Sequence, residues 1–258
     1  MEDNRLYTLQ RRNEILRILR EQGSISVNQL AEQFQVSGTT IRLDLTALEK
    51  TGVISRTHGG AMLSGNMERE PLILERKNKA EKERIAAKAV TLISENDTIL
   101  IDTGTTMHAL AGALVASPLT HLRVYSNDLD VLRILEEKES FELHLMGGVI
   151  RNGFHYTAGN QVIAELSNYH FGKMFLATSA ISLESGLTTA NSDLAAIKAA
   201  MIAASEQVIL LTDSSKMHHV LFQRFADLEA IDTLITDSGL AGEDAAALGA
   251  RIRSVVVV

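Results

Sequence analysis

The 258-residue chain contains no cysteine. That excludes disulfides and thiolate metal sites and suits a reducing compartment. No apolar run approaches the roughly 20 residues that a membrane-spanning helix requires. The opening residues, Met1-Glu2-Asp3-Asn4-Arg5, lack the basic start and apolar stretch of a secretory signal. A cytoplasmic protein without a membrane association is expected. Histidine is scattered, and the adjacent pair His218-His219 lacks the i,i+4 spacing that puts two ligands on one helical face. Neither a metal nor a cofactor is called for. Ser214-Ser215-Lys216 has no matched His or acid at a spacing that suggests a nucleophile, so it reads as a ligand-contact turn and no catalytic residue is assigned.

Nor is there a marked excess of positive charge. The net charge is −7, and residues 1–65 hold eight Lys/Arg against seven Asp/Glu, leaving 17 against 25 in the remainder. A strongly basic segment would point to nucleic acid directly. Here the case rests on where the charges sit.

Apolar residues at helical spacing (Leu9, Ile15, Leu16, Ile18, Leu19) run to a stop at Gly23. After the extended Ser24-Ile25-Ser26, a second helix carries Leu30 and Phe34 on one face, and Val36-Ser37-Gly38 turns the chain. Ser37 is a good N-cap for a third helix from Thr39 to Lys50. On that helix Ile41, Leu45 and Leu48 share a core-facing side, while Thr39, Leu43, Thr46 and Lys50 lie opposite, flanked by Arg42. Asp44 and Glu49 are expected to stabilise its exposed sides. Hydroxyls, an arginine and a terminal lysine on the outer face suit a major groove, and Leu43 suits a thymine methyl. Val53-Ile54-Ser55-Arg56, a turn at Thr57-His58-Gly59-Gly60 and Ala61-Met62-Leu63 then form a wing. Arg56 and His58 are expected near the DNA backbone. The expected DNA-binding set is Ser37, Thr39, Thr40, Arg42, Leu43, Thr46, Lys50, Arg56 and His58. A winged helix used for protein contacts is the alternative.

The run Val36-Ser37-Gly38-Thr39-Thr40-Ile41-Arg42-Leu43-Asp44-Leu45, followed by Arg56-Thr57-His58-Gly59-Gly60-Ala61, resembles the signature of DeoR-type repressors. It joins a turn, a recognition helix and a wing at fixed spacing. The family usually has a second basic residue after the arginine, where this chain has Leu43. An operator sequence therefore does not transfer from relatives.

Polar residues, one glycine and Pro71 at 64–71 suggest a boundary. The expected organisation is a winged helix-turn-helix at 1–63, a linker at 64–78 and an α/β domain at 79–258. A charged helix, Lys77–Leu92, opens the last of these and is expected to act as a lever. Seven short apolar runs then alternate with helices: Thr98–Ile101, Arg123–Tyr125, Glu142–Met146, Lys173–Leu176, Val208–Thr212, Thr233–Thr236 and Ser254–Val258. Such alternation predicts a mainly parallel sheet covered on both faces, with ligands at the carboxyl ends of its strands.

Polar residues collect at those ends. Asp102-Thr103-Gly104-Thr105-Thr106 opens a helix and has the makings of an anion nest. Ser126-Asn127-Asp128, Gly147-Gly148 and Asp213-Ser214-Ser215-Lys216 follow other strands, and Thr188-Thr189-Ala190-Asn191 precedes a helix bearing Lys198. Residues 80–237 resemble the DeoR-type sensor domain, which is similar in fold to ribose-5-phosphate isomerases and CoA transferases. The resemblance implies that Gly104, Thr105 and Thr106 take the phosphate of an effector. It implies that Asp102, Asn127, Gly147, Gly148, Asn191, Lys198, Asp213 and Lys216 line a sugar pocket. Ser179 and Ser182 stand where relatives often carry acids, and Thr189-Ala190-Asn191-Ser192 where they often have Asn-Glu.

The expectation is a DNA-binding regulator, a repressor of a carbohydrate or polyol operon. Its partners would be double-stranded operator DNA, a phosphorylated sugar or polyol, and further copies of itself as a dimer or tetramer. The alternative is an isomerase-like sugar-phosphate enzyme with a DNA-binding appendage, which needs a base and an acid at the substrate carbonyl. The serines at 179 and 182 remove two candidates for that chemistry. Activation rather than repression is equally compatible with a winged helix.

Overall fold

The computed structural model of the chain describes all residues except 1–7, 9–10, 13, 17, 20–23, 51–53, 58, 64–77 and 152–153. It divides into two compact units, one within Met1–Glu70 and the other within Pro71–Val258. Among the described residues no helix is long and apolar enough to cross a membrane.

In the N-terminal unit the described residues between 8 and 19 are helical (α1). They precede β1 (Ser24–Ser26), α2 (Val27–Phe34), α3 (Gly38–Lys50), β2 (Ile54–Thr57) and β3 (Gly60–Leu63). Ser26 caps α2 in a reciprocal box with Gln29, satisfying backbone donors that the helix cannot. Gln35, at φ 51°, ends α2 in the left-handed conformation. The apolar faces meet in one cluster of Ile15, Leu19, Leu30, Ile41, Leu45 and Ile54. The link at 24–26 is a third strand, because β1 pairs antiparallel with β3. Gly60 permits that pairing, since a Cβ there would stand 2.1 Å from the Ile25 carbonyl oxygen.

The larger unit contains α4 (Lys79–Val90), β4 (Thr98–Ile101), α5 (Thr105–Ala116), β5 (Arg123–Ser126), α6 (Leu129–Leu135), β6 (Glu142–Leu145), β7 (Val149–Arg151), β8 (Tyr156–Ala158) and α7 (Asn160–Leu166). It continues through β9 (Phe171–Leu176), β10 (Ala180–Ser182), β11 (Gly186–Thr189), α8 (Ser192–Ala203), β12 (Ser205–Leu211), β13 (Gln223–Ala226), β14 (Thr233–Thr236), α9 (Gly242–Gly249) and β15 (Ser254–Val257). Seven strands make one sheet in the order β15-β14-β12-β9-β4-β5-β6, and all six pairings in it are parallel. These are the seven apolar runs read from the sequence. Side chains alternate across the sheet. Leu100, Met174, Leu176, Leu210 and Leu234 enter the cluster with α7, α8 and α9 residues Val162, Ile197 and Leu248. Ile99, Ile101, Phe175, Ile209 and Ile235 enter the one with α4, α5 and α6 residues Ile85, Met107 and Val131. Burial on both faces is why these strands read as unbroken apolar runs.

Strand order reverses between β4 and β9, which places the topological switch point there. The short hairpin β7–β8 and the antiparallel sheet β10-β11-β13 were not anticipated. Their strands are only three or four residues long, too short to show a period of two.

Candidate functional site

The N-terminal unit keeps few side chains ready for a partner. Ser37 and Thr40 are engaged in the cap of α3, the Thr40 N–H donating to Ser37 Oγ at 3.1 Å and the two hydroxyls lying 2.9 Å apart. Thr46 Oγ1 donates to the Arg42 carbonyl at 2.7 Å and accepts from Arg56 Nη1 at 3.2 Å. The wing arginine is thereby tied to the recognition helix. Thr39 and Arg42 are exposed, as is Leu43 at 65%. Among the described residues of this unit Leu43 is the one large exposed apolar side chain. His58 and the side chain of Lys50 lie outside the described part of the chain. One expectation is corrected. Asp44 does not stabilise an exposed side of α3 but is buried, 2% exposed, and accepts from Arg11 Nε at 2.6 Å and Arg12 Nε at 2.8 Å. The residue turns inward because two guanidinium groups of α1 neutralise it.

In the larger unit the carboxyl ends of β4, β5, β9 and β12 are polar. Asp102, after β4, is fully buried; its Oδ2 accepts from the Ala177 N–H after β9 at 2.9 Å and from the ammonium of Lys198 on α8. Lys198 also donates to the Ala177 carbonyl at 3.0 Å. An ion pair so deep persists because each partner satisfies the other, and it spans the switch point. Among the described residues Asp102 Oδ1 accepts no hydrogen bond, nor does Asn127 Oδ1, although both are buried. Asn127 is held by Nδ2 donating to the Thr157 carbonyl at 2.9 Å.

Gly104 takes φ 123°, a conformation open to glycine, and caps α5. Thr105 and Thr106 begin that helix and present N–H groups that it does not use itself. Asp128, which the sequence did not single out as a site residue, fixes the loop. Its Oδ2 accepts from Thr103 Oγ1 at 2.7 Å, from the Gly104 N–H at 3.2 Å and lies 3.2 Å from His108 Nε2. Its Oδ1 caps α6 by accepting from the Asp130 and Val131 N–H groups. Burial pushes this carboxyl up, but the His108 ring, the Thr103 hydroxyl and the Val131 N–H outweigh it and hold its pKa below the ordinary value. His108, Asp128 and Asp130 form the cluster best able to hold a metal ion among the described residues. The oxygens of Asp128 are already committed to N–H and O–H donors, so an ion there would have to displace them.

The remaining expected residues divide. Asn191 caps α8 through the Leu194 N–H at 3.0 Å. Asp213 Oδ1 accepts from the Ser215 N–H at 3.2 Å and from Asn78 Nδ2 at 2.8 Å. Lys216 is half-buried in the turn after β12. Gly147 and Gly148 have local tasks: the Gly147 N–H donates to Glu165 Oε2 at 2.9 Å, and a Cβ on Gly148 would come within 2.7 Å of the Ala158 carbonyl oxygen. Two residues of α4 that sequence reasoning missed reach the site, Asn78 at its N-cap and Lys82, whose Nζ donates to Thr105 Oγ1 at 3.0 Å. No local pattern marks them, because their placement depends on the packing of α4 against α5.

A winged helix-turn-helix, in one chain with a doubly wound sheet whose polar residues gather at the switch point, defines a DNA-binding transcriptional regulator with a sensor domain. The description "DeoR-like helix-turn-helix domain" matches residues 11–65, and "DeoR C terminal sensor domain" matches residues 77–238. The chain belongs to the DeoR family. It is 35% identical over 234 residues to the HTH-type transcriptional repressor GlcR of Bacillus subtilis, covering 90% of this chain and 89% of that protein. It is 33% identical over 230 residues to the glycerol-3-phosphate regulon repressor of Escherichia coli, covering 89% and 90%. Family and relatives are repressors rather than enzymes, which sets aside the isomerase-like alternative. Among solved structures, ribose 5-phosphate isomerase A from Neisseria gonorrhoeae aligns at a TM-score of 0.39 and 19% identity over 53% of this chain and 52% of that one. A likeness that loose carries nothing about function.

Proposed function

We propose that this regulator represses a carbohydrate or polyol operon and is released from its operator by a phosphorylated sugar-type effector bound at the switch point. The observation that carries the proposal is the pair of buried acceptors, Asp102 Oδ1 and Asn127 Oδ1, with no donor among the described residues. They follow the register partners Ile101 and Ser126. A buried acceptor without a donor is costly, and the hydroxyls of a sugar or polyol supply donors. The start of α5 at Thr105 and Thr106 favours an anion. A ligand with hydroxyls at one end and a phosphate at the other suits both. Gly104, Lys198, Asp213, Lys216 and Asn191 complete the pocket, and Gly147 and Gly148 shape its wall. Two relatives agree with it by name: one is a glycerol-3-phosphate regulon repressor, another a lactose phosphotransferase system repressor from Streptococcus mutans.

On the DNA side, Thr39, Arg42 and Leu43 meet base edges, while Ser37, Thr40, Thr46, Arg56, Lys50 and His58 position the helix and wing on phosphates. One winged helix offers a small interface, so the larger unit assembles a cytoplasmic dimer or tetramer that engages two half-sites. The working boundaries are 1–63 for the DNA-binding domain, 64–78 for the linker and 79–258 for the sensor.

A thermal-shift screen with C3 to C6 sugar and polyol phosphates, each beside its unphosphorylated counterpart, tests the effector class. Stabilisation grows with ligand concentration over Kd, about 2.7 kcal/mol at a hundredfold excess. A phosphorylated compound that stabilises the protein while its counterpart does not is the expected result. Stabilisation by unphosphorylated sugars alone counts against the proposal.

A further inference from the structure

The seven-stranded sheet ends in β6 on one side and β15 on the other, and among the described residues each pairs with one neighbour. A free edge is a row of backbone donors and acceptors open to another strand, and soluble proteins usually blunt it. β6, Glu142–Leu145, has no proline, no lysine and no bulge. The Glu142 N–H donates to the Leu122 carbonyl at 2.8 Å and the Met146 N–H to the Ser126 carbonyl at 2.9 Å, both toward β5. Alternation along the strand then directs the N–H and C=O groups of Leu143 and Leu145 to the open side. Apolar side chains gather beside it: Leu145, Val149 and Ile150, within six positions of the chain, are all exposed. On β15 only Val257 is exposed. Glu142 and His144 share one face of β6. The His144 ring stacks on Tyr125, centroids 4.2 Å and planes 3° apart, and its Nε2 lies 2.7 Å from Glu142 Oε1. An acid and an imidazole thus stand two residues apart on a strand with a free side.

We infer that the β6 edge is an interface with a second copy of this chain, the two strands running antiparallel about a twofold axis at Leu143. The inference rests on the reading above that the larger unit assembles the regulator. A twofold interface presents the same patch from both sides and must complement itself. With the axis at Leu143, residues equally far from it on opposite sides face each other. Leu143 meets the partner's Leu143, and the two exchange both backbone hydrogen bonds. Glu142 meets the partner's His144 and His144 the partner's Glu142, so an acid faces an imidazole on both sides of the axis. Leu145 comes beside the partner's Phe141, its N–H aimed at that carbonyl. Other registers lose this match. An axis between Leu143 and His144 opposes an outward-pointing backbone to an inward-pointing one, and an axis at His144 sets the two imidazoles against each other. Four residues cover too little for a stable dimer, which buries about 800 Å² per partner. Val149 and Ile150 extend the apolar contact beside the ladder.

The chain has no cysteine, so a single introduced thiol reports the register in the full-length protein. Under mild oxidation Leu143→Cys should form a disulfide-linked dimer, because directly opposed Cα atoms of such a pair lie about 5.5 Å apart, within disulfide reach. Glu142→Cys should not link to itself but should link to His144→Cys when the two proteins are mixed. Sedimentation equilibrium reads the strength of assembly. Leu143→Pro, which removes one N–H per copy on the open side, and Leu145→Lys, which places a charge there, should each raise the Kd of assembly on the order of 10-fold or more. Should Leu143→Pro misfold, Leu145→Lys carries the test, since its side chain is exposed. Val257→Lys at the other edge should leave the assembly unchanged. A parent tetramer that Leu145→Lys splits into dimers supports the inference as well as a dimer that it splits into monomers. Assembly as strong in Leu145→Lys as in the parent overturns it. So does self-linking of Glu142→Cys without linking of Leu143→Cys, or assembly lost in Val257→Lys alone. A parent that stays monomeric at every concentration contradicts the assembly reading itself, a result distinct from an oligomer that Leu145→Lys leaves intact.

Discussion

The two units handle polar residues in opposite ways. In the N-terminal unit Asp44 of α3 is buried against two arginines, while Thr39, Arg42, Leu43 and Glu49 are exposed. In the sensor unit the polar residues themselves are buried. Asp102, Asn127, Asp128, Lys198 and Asp213 are each at most 2% exposed, and two acceptor atoms find no donor among the described residues. A surface that reads a large rigid partner keeps its readers in water, because the partner brings its own shape and charge. A pocket for a small flexible molecule must fix its polar groups beforehand and exclude solvent.

The sharpest way to break this contrast is to remove one half of the deepest pair. Asp102→Ala leaves the Lys198 ammonium buried, its side chain 3% exposed. The loss should be about 3–5 kcal/mol, read as a lower urea midpoint for the sensor unit. The combined Asp102→Asn, Lys198→Met variant should recover much of it. Equal instability in single and double variants would show that the pair does not account for the loss.

Asp44→Ala applies the same operation to the other unit and should cost less, about 1.5–3 kcal/mol. Its partners Arg11 and Arg12 retain side-chain exposures of 13% and 32%, so water can take over part of their solvation. Hydrogen exchange of α3 amides reports it: faster exchange there with sensor amides unchanged is expected. A cost as large as that of Asp102→Ala would erase the distinction between the units.

The smallest effect belongs to Leu43, the exposed residue proposed to read a base. Replacing single thymines by deoxyuridine in an operator selected in vitro removes one methyl group at a time. Where Leu43 covers that methyl, affinity should fall by about 0.8 kcal/mol, and Leu43→Ala should make the same duplexes indistinguishable. Uniform insensitivity of the parent protein to deoxyuridine would remove Leu43 from base readout.

The contrast also explains what was legible in the sequence. The parallel strands stood out because burial on both faces makes them continuous apolar runs. Ser37 as the α3 cap and the wing were visible because capping and turn chemistry are local. Asp128 precedes Leu129-Asp130-Val131 as an N-cap should, and that signal was available. Its second task, holding Thr103 and Gly104, depends on β4 and β5 lying side by side. Asp44 was misjudged because the helical wheel does not contain α1. Lys82 and Asn78 were missed for the same reason: the pairing of α4 with α5 and with the Asp213 loop is tertiary. Residues that act through their own neighbours in sequence can be read from it, and those that act across elements cannot.

The central claim is that occupancy of the buried strand-end site controls the exposed reading helix. It is tested most directly by fluorescence anisotropy of a labelled operator titrated with full-length protein. The titration is run without ligand, with the phosphorylated hit and with its unphosphorylated counterpart. The account predicts that the phosphorylated compound alone weakens operator binding, on the order of 5- to 150-fold. Operator should weaken binding of that compound by the same factor, as linkage demands. Gly104→Val and, should that variant misfold at its positive φ, Lys216→Ala should each lose the response. An equal effect of the unphosphorylated compound, or a normal response in both variants, would contradict the account.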